Sequence, residues 1–367
     1  MNSLVFSNML HRPARTVVSV LGIAIGVLLI VFTIGLANGT LREQAKREAN
    51  VGAEIMLCAS NCLGVTGSAS LSLPVSLTEE VKNVEGVETA VPIGQNSVSA
   101  TDNNTGSRII EGINFDEYAG VAGLRIVEGR TFSGAGGEVI TDTAFQNQKK
   151  SKIGDTVKLY DRDFTIVGTY EPAAGARIKL PLGEMQAQLG GEGKASAFLV
   201  KVGQGVDAEQ VAQNLQMKFP DNRIILTRDI EELYMAGIPA LNVFLDVIIG
   251  VAAIISALVV LLTMYTTVTE RTRQIGIMKS LGMSNAAIAW IVTQEALLIT
   301  FCGIVGGILL TVILRFLLTR VTTLEIELSP VVWTITLIVG LIGGALGALY
   351  PALRAARLDA VEALSYE

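Results

Sequence analysis

Residues of the types that catalyse reactions lack catalytic spacing in this chain. Gly193 and Lys194 come nearest to a phosphate-binding loop, but Ala195 follows them and no glycine lies five positions before Gly193. His11 is the only histidine, so no second imidazole is present to serve a serine nucleophile as its base. The carboxylates of the central region show no spacing that selects a pair, and we interpret them as solvated surface. No catalytic residue is predicted, and the chain is expected not to be an enzyme.

The cysteines allow one covalent link and no metal site. Cys58 and Cys62 lie in the sequence CASNC, and a disulfide between positions i and i+4 is sterically possible. The alternative is two free or separately buried thiols. Cys302 lies in an apolar run and is interpreted as a packing residue. With 3 cysteines and 1 histidine, zinc-ligand spacing is missing, so no metal site is predicted.

The stretch most suited to binding a partner is residues 268–282, with the sequence VTERTRQIGIMKSLG. It holds three basic residues and one acidic residue between two apolar runs. As a helix it has two sides, one with Ile275, Met278 and Leu281 and the other with Thr272, Gly276, Lys279 and Ser280. A short basic amphipathic helix between two spans either lies on the membrane surface or docks on a cytoplasmic partner.

Composition indicates a membrane protein. The chain is 50% hydrophobic and 17% charged with a mean hydropathy of +0.50, whereas soluble domains average about 25% charged residues. The net charge of −6 argues against a nucleic-acid partner, which requires a basic patch.

Four uncharged runs, residues 16–41, 247–269, 296–314 and 328–353, are long enough to cross a bilayer. The predicted spans are residues 16–40, 241–269, 286–318 and 329–350. The first could instead be a cleaved signal peptide, but its apolar run exceeds the usual length, which favours an uncleaved anchor. Residues 1–15 are predicted to lie along the membrane surface, with a frayed terminus as the alternative.

The orientation follows from basic residues in short flanks. These are Arg12 and Arg15 before the first span, Arg271, Arg273 and Lys279 after the second, and Arg354 and Arg357 after the fourth. The positive-inside rule therefore predicts that both termini, the loop 270–285 and the tail 351–367 are cytoplasmic. It places residues 41–240 and the short loop 319–328 outside.

The region 41–240 shows the pattern of an α+β domain with two lobes. Strands at 54–57, 87–92 and 108–113 and a helix at 77–84 predict a βαβ-type lobe. Short β segments within 129–170 predict an inserted β-rich lobe, after which the strand 197–202, the helix 208–219 and the strand 223–227 rejoin the first. The predicted fold class is an α-helical membrane protein with four transmembrane helices and this two-lobed extracytoplasmic domain.

Two features inside the spans are candidates for helix contacts. Small residues four positions apart let helices approach each other closely. The pairs in this chain are Gly22 and Gly26, Gly303 and Gly307, Gly340 and Gly344, and Gly343 and Gly347. They predict a packed bundle with an oligomeric interface, although glycine is common in membrane helices. Glu295 lies inside or at the edge of the third span, where a carboxylate is costly. It is either a functional group or part of a hydrogen-bonded helix contact.

Four stretches resemble the MacB/FtsX-like ABC permeases, a family that includes macrolide exporters, lipoprotein-releasing permeases and cell-division permeases. They are VTERTRQIGIMKSLGMS after the second span, LYPALRAARLDAVEAL (349–364) after the fourth, NMLHRPARTVVSVLGIAIGV (8–27) and IGDTVKLYDRDFTIVGTY (153–170). The matches extend over nearly the whole chain, with an FtsX-like permease domain at 241–364. The segment CASNC has no counterpart in the pattern.

The resemblance implies a permease of the bacterial inner membrane that works with a separate ATPase, which binds ATP and Mg²⁺. It implies a dimer, with an identical or a paralogous permease, and allows a membrane-fusion adaptor as a further partner. The ATPase-coupling candidates are Glu270, Arg271, Thr272, Arg273, Ile275, Gly276 and Lys279, with Arg354 and Arg357 as a second cytoplasmic contact. The implied activity is mechanical transmission that exports or extracts a lipoprotein, peptide or antibiotic. An FtsX-like regulator of a cell-wall hydrolase and a membrane-anchored receptor or scaffold without an ATPase are the alternatives.

Overall fold

The computed structural model describes residues 13–59, 62, 71–99, 107–134, 136–236, 239–319 and 326–359. Most of the predicted surface segment 1–15 and of the loop 319–328 lies outside these residues, as do residues 360–367 of the tail. The chain divides into two compact units. The helical unit comprises residues 1–39, 239–320 and 324–367, and the α/β unit comprises residues 40–238 and 321–323.

Helices and strands alternate through the first two thirds of the described chain, and only helices follow. The helices are α1 (Pro13–Ala49), α2 (Leu77–Lys82), α3 (Phe115–Ala122), α4 (Thr143–Lys149), α5 (Leu182–Leu189), α6 (Ala208–Lys218), α7 (Ile230–Ala236), α8 (Pro239–Glu270), α9 (Thr272–Ser280), α10 (Asn285–Leu318) and α11 (Pro330–Arg357). The strands are β1 (Ile55–Ala59), β2 (Leu73–Pro74), β3 (Val87–Ser99), β4 (Ser107–Ile113), β5 (Arg125–Gly129), β6 (Glu138–Asp142), β7 (Thr156–Leu159), β8 (Arg162–Glu171), β9 (Ile178–Pro181), β10 (Lys194–Ala195), β11 (Ala197–Val202) and β12 (Asn222–Leu226).

Four helices have the length and apolar composition needed to cross a membrane, as predicted: α1, residues 240–270 of α8, α10 and α11. The helix α1 continues past the predicted end of the first span and ends at Ala49. The helices are longer than the predicted spans, so where each one crosses the bilayer stays a prediction. Their shared core contains Ile23 of α1, Val260 and Met264 of α8, Ala296 of α10 and Ala352 of α11.

The α/β unit contains a long sheet whose strand order is β12-β1-β11-β3-β4-β9-β6-β8-β5, with β7 paired to β8. The 13-residue strand β3 joins its two halves, because residues 87–93 pair with β11 and residues 94–99 pair with β4. The first half, β12-β1-β11-β3, has the strand order of a split βαβ motif. Helices α2 and α6 cover it with Val81, Val211 and Leu215 in the core. The first predicted lobe is therefore confirmed, except for the predicted strand 108–113.

The second half is larger than the predicted insertion 129–170, since it runs from β4 to α5. The predicted strand 108–113 was assigned to the first lobe, which is wrong: β4 lies in the second half, parallel to β9. The helices α3, α4 and α5 were not predicted from the sequence. The helix α4 forms because the Asp142 carboxylate accepts the Phe145 backbone N–H at 2.7 Å, capping a short polar segment that has no apolar periodicity.

Candidate functional site: the connection between α8 and α10

The connection between α8 and α10, residues 270–285, contains one short helix, and we call it the connecting segment. The chain leaves the helical conformation at Arg271, with φ −108° and ψ 16°, and α9 begins at Thr272. Beyond the end of α9, Gly282 has φ +92°, which favours glycine. Ser284 then caps α10 by accepting the Ala287 backbone N–H at 3.2 Å. Gly276, by contrast, lies inside α9 and is buried.

The faces of α9 differ from the prediction. Ile275 is buried and packs in the helical core together with half-buried Met278. Leu281, which was predicted to share their side, is 80% exposed, and Ile277 is 44% exposed. The outward residues are Arg273, Gln274, Ile277, Ser280 and Leu281.

Charged side chains fasten the connecting segment to α1 and α10. Arg15 of α1 donates to the Glu270 carboxylate at 2.7 Å. Arg271 pairs with Glu295 of α10, with an N–O distance of 3.3 Å. The side chains of this second pair are only 13% and 7% exposed, so each needs the other to compensate its buried charge. Glu295 therefore joins the connecting segment to α10.

Lys279 fastens the connecting segment to α11. Its Nζ donates to the carbonyl oxygens of Ala356 at 2.9 Å and Leu358 at 2.6 Å. The Lys279 ammonium group also compensates the partial negative charge at the C-terminus of α11. Together with its covalent link to α8, the connecting segment is thus attached to all four long helices.

The second predicted cytoplasmic contact, Arg354 and Arg357, lies in the last turn of α11 and not on the connecting segment. The Arg354 guanidinium lies over the Tyr265 ring of α8, 4.6 Å from the ring centre. Tyr265 also stacks on Tyr350, with ring centres 6.3 Å apart. Arg357 is exposed. Arg354 of α11 thus packs on Tyr265 and links α11 to α8.

The glycine pairs lie at crossings of helices within the chain. A Cβ added at Gly303 would lie 2.6 Å from Ile23 Cβ, and one at Gly307 would lie 2.6 Å from the Ala24 carbonyl oxygen. Such distances leave no room for a side chain, so glycine permits the close approach. These contacts join helices of one chain, and the oligomeric interface stays a prediction. The crossings are α1–α8 at Gly22 and Gly26, α1–α10 at Gly303 and Gly307, α10–α11 at Gly340 and Gly344, and α8–α11 at Gly343 and Gly347.

In the α/β unit, Cys58 and Cys62 form a disulfide with Cα atoms 6.0 Å apart. Cys58 lies on β1 and is buried.

Sequence reasoning missed a buried charged cluster in the α/β unit. Lys179 of β9 and Glu111 of β4 are opposite each other in the parallel pair, and their fully buried side chains form an ion pair. Tyr118 of α3 completes the cluster, because Lys179 Nζ lies 3.2 Å from its hydroxyl. Burial lowers the pKa of Lys179, and Glu111 opposes that shift. The available signal was a charged residue next to apolar ones in each strand, with Glu111 following Ile110 and Lys179 lying between Ile178 and Leu180.

A second buried group ties the end of α1 to the second half of the sheet. Arg47 of α1 pairs with Asp142 of β6 at 2.5 Å and donates to the Gly175 carbonyl oxygen at 3.0 Å. Glu43, one turn earlier, pairs with Arg177 at 2.8 Å. The last turns of α1 are therefore fixed to this half.

Two family models match the chain. The MacB-like periplasmic core domain matches residues 16–218, and the FtsX-like permease C-terminal domain matches residues 247–360.

Several relatives are similar over nearly the whole chain. The ABC transporter permease MJ1507 of Methanocaldococcus jannaschii is 27% identical, over 99% of this chain and 96% of its own length. The ABC transporter permease YknZ of Bacillus subtilis is 26% identical, over 99% of this chain and 98% of its own length. The macrolide export ATP-binding/permease protein MacB of Bdellovibrio bacteriovorus is 23% identical, and this chain spans 61% of its length.

Among solved structures, the periplasmic region of MacB from Actinobacillus actinomycetemcomitans aligns with a TM-score of 0.38 at 17% identity, covering 49% of this chain and 93% of that one. The extracellular domain of YknZ aligns with a TM-score of 0.35 at 18% identity, covering 47% of this chain and 98% of that one.

Proposed function

Because this chain belongs to the MacB/FtsX-like family of ABC transporter permeases, we propose that it couples ATP hydrolysis by a separate ATPase subunit to movement of its α/β unit. The observation that supports this proposal is the construction of the connecting segment. Its inward residues attach to all four long helices, while its outward face is exposed. A partner that displaces α9 would therefore move every long helix.

The outward face of α9 has the composition of a protein contact. Ile277 and Leu281 expose 44% and 80% of their surfaces beside Arg273, and arginine with exposed apolar residues is typical of protein interfaces. We assign ATPase contact to Arg273, Ile277 and Leu281. Of the coupling candidates, Arg271, Ile275, Gly276 and Lys279 instead transmit movement, because their contacts are with the long helices. Thr272 links the start of α9 to the end of α8, since its hydroxyl donates to the Thr269 carbonyl at 2.8 Å.

The coupling requires a defined topology. The basic flanking residues Arg15, Arg273, Arg354 and Arg357 support a cytoplasmic connecting segment and cytoplasmic termini. The α/β unit would then lie outside.

The proposed coupling also requires partner subunits and a transported substrate. Two copies of this chain, or this chain with a paralogous permease, would pair with two ATPase subunits that hold ATP and Mg²⁺. The cargo would be a lipoprotein, peptide or antibiotic that the α/β units grip or push, with or without a membrane-fusion adaptor. In this account the helical unit has two conformations, and nucleotide binding by the ATPase shifts the equilibrium between them.

Affinity purification tests the contact. The tagged full chain, purified from membranes of its native host, is expected to retain a nucleotide-binding subunit identifiable by mass spectrometry. The double variant Arg273→Glu with Ile277→Asp should no longer co-purify with that subunit. It replaces a positive charge by a negative one and an exposed apolar side chain by a carboxylate. A matched control, Arg162→Glu with Met217→Asp, changes an exposed arginine and an exposed apolar residue of the α/β unit and should retain it. Equal recovery of the subunit with both double variants would refute the assignment. Recovery of no nucleotide-binding subunit with the unchanged chain would favour the receptor or scaffold alternative.

A further inference from the structure

A groove of about 530 Å³ opens between the two halves of the α/β unit. Its walls are mostly apolar: Pro92 comes from the first half, and Ile113, Phe115, Phe132 and Leu182 come from the second. The Phe115 and Phe132 rings meet edge to face, with centres 6.5 Å apart. Small-molecule sites have this size range, with aromatic walls and few polar groups.

The groove lies where two parallel strands end. Ile113 and Pro181, the last paired residues of β4 and β9, both line it, and α3 and α5 begin directly after these strands. The crevice outside the carboxyl ends of parallel strands is the usual ligand position in α/β sheets. The two strands and the two helices hold the groove walls in place.

The polar groups of the groove favour a cation. Asp116 and Glu117 line one side and are exposed, and no lysine or arginine is among the described lining residues. Thr131 also lines the groove, and its hydroxyl oxygen is buried without a hydrogen-bond partner among the described residues. A buried polar group without a partner is unfavourable, and a hydrogen bond to a ligand would remove that cost.

We propose that this groove binds a small amphiphilic cation. The apolar or aromatic body lies against Phe115 and Phe132, and a protonated amine lies beside Asp116 and Glu117. The Thr131 hydroxyl bonds to a polar atom of the ligand. This inference goes beyond ATPase coupling, because binding here requires neither nucleotide nor a second protein.

Two dyes that share one xanthene body test the charge requirement. Rhodamine 123 carries a positive charge, and fluorescein methyl ester does not. Fluorescence anisotropy on the full chain in phosphatidylcholine nanodiscs should show rhodamine 123 binding at least tenfold more tightly. Equal affinity for both dyes would overturn the proposal.

Variants locate the site. Asp116→Asn with Glu117→Gln should weaken rhodamine 123 binding about tenfold, a change of about 1.4 kcal/mol. The control Glu88→Gln with Asp221→Asn removes two exposed carboxylates elsewhere in the α/β unit and should bind normally. Gly183→Leu tests the volume: Gly183 lines the groove and a Cβ there meets no atom within 4 Å, so the larger side chain should weaken dye binding. Unchanged binding in both groove variants would mean that the dye occupies lipid or another surface, and would refute the site.

Discussion

Two ion pairs, one in each unit, differ in burial. In the connecting segment, the Arg15–Glu270 pair has side chains 23% and 43% exposed. The Lys179–Glu111 pair of the α/β unit is completely buried, and Tyr118 bonds to both partners. An exposed pair contributes about 1 kcal/mol or less, whereas breaking a buried pair costs about 3–5 kcal/mol. The difference indicates that the Arg15–Glu270 contact opens more easily than the buried Lys179–Glu111 pair of the α/β unit.

The largest expected effect comes from breaking the buried pair. Lys179→Met leaves the Glu111 carboxylate buried without its cation, so opening of β4 and β9 should become easier by about 3–5 kcal/mol. Hydrogen exchange measured by mass spectrometry on peptides covering both strands reports this change. The double variant Lys179→Met with Glu111→Leu leaves no buried charge and should lose much less protection. Equal losses in the single and double variants would show that the pair is not what fixes this geometry.

An intermediate effect is expected at Glu295. Glu295→Gln removes the charge that compensates Arg271, so amide exchange in α9 should accelerate about tenfold, as for loss of a charged hydrogen bond of about 1.5 kcal/mol. Glu270→Gln is the matched control, since it removes a carboxylate from the exposed Arg15 pair in the same segment. It should change exchange less than Glu295→Gln does. If the two variants accelerate exchange equally, burial does not distinguish the two attachments.

A pH-dependent effect concerns the ion pair between exposed Arg130 and buried Glu138 of the α/β unit. Arg130 donates to Glu138 at 2.6 Å and, with help from Ser133, lowers the pKa of Glu138 to about 2. A lowered folded-state pKa stabilises the fold above the ordinary value near 4.5, and this contribution disappears as the pH falls through about 2. Glu138→Gln should therefore destabilise the α/β unit at pH 7, and its difference from the unchanged chain should shrink towards pH 2.

Hydrogen exchange of β6 as a function of pH measures this dependence. Glu192→Gln, at an exposed position, is the control and should show no such convergence. A constant difference across the pH range would contradict the lowered pKa.

Local patterns predicted the elements whose signals are long or strictly periodic. The uncharged runs specified the four membrane-length helices, and the strand 197–202 matches β11 at both ends. The spacing of Val211 and Leu215 specified α6. Each of these elements buries a face that is already visible in its own residues.

Pairings between distant residues could not be predicted in the same way. Glu111 and Lys179 are 68 positions apart, and only the parallel register of β4 and β9 makes them partners. The faces of α9 likewise depend on α11, because Lys279 turns inward to bind carbonyl oxygens 77 and 79 positions away. Amphipathic spacing alone placed Leu281 inside, whereas it is 80% exposed.

The orientation of α9 is the central claim, and neighbouring positions on it provide the most direct measurement. The photoreactive residue p-benzoylphenylalanine is introduced in place of Ile277, which is exposed, or of Met278, which packs in the helical core. Each full-length chain is irradiated in membranes of its native host. The account predicts a crosslink to a nucleotide-binding subunit from position 277 and none from position 278. A crosslink to that subunit from position 278 but not from position 277 would contradict it.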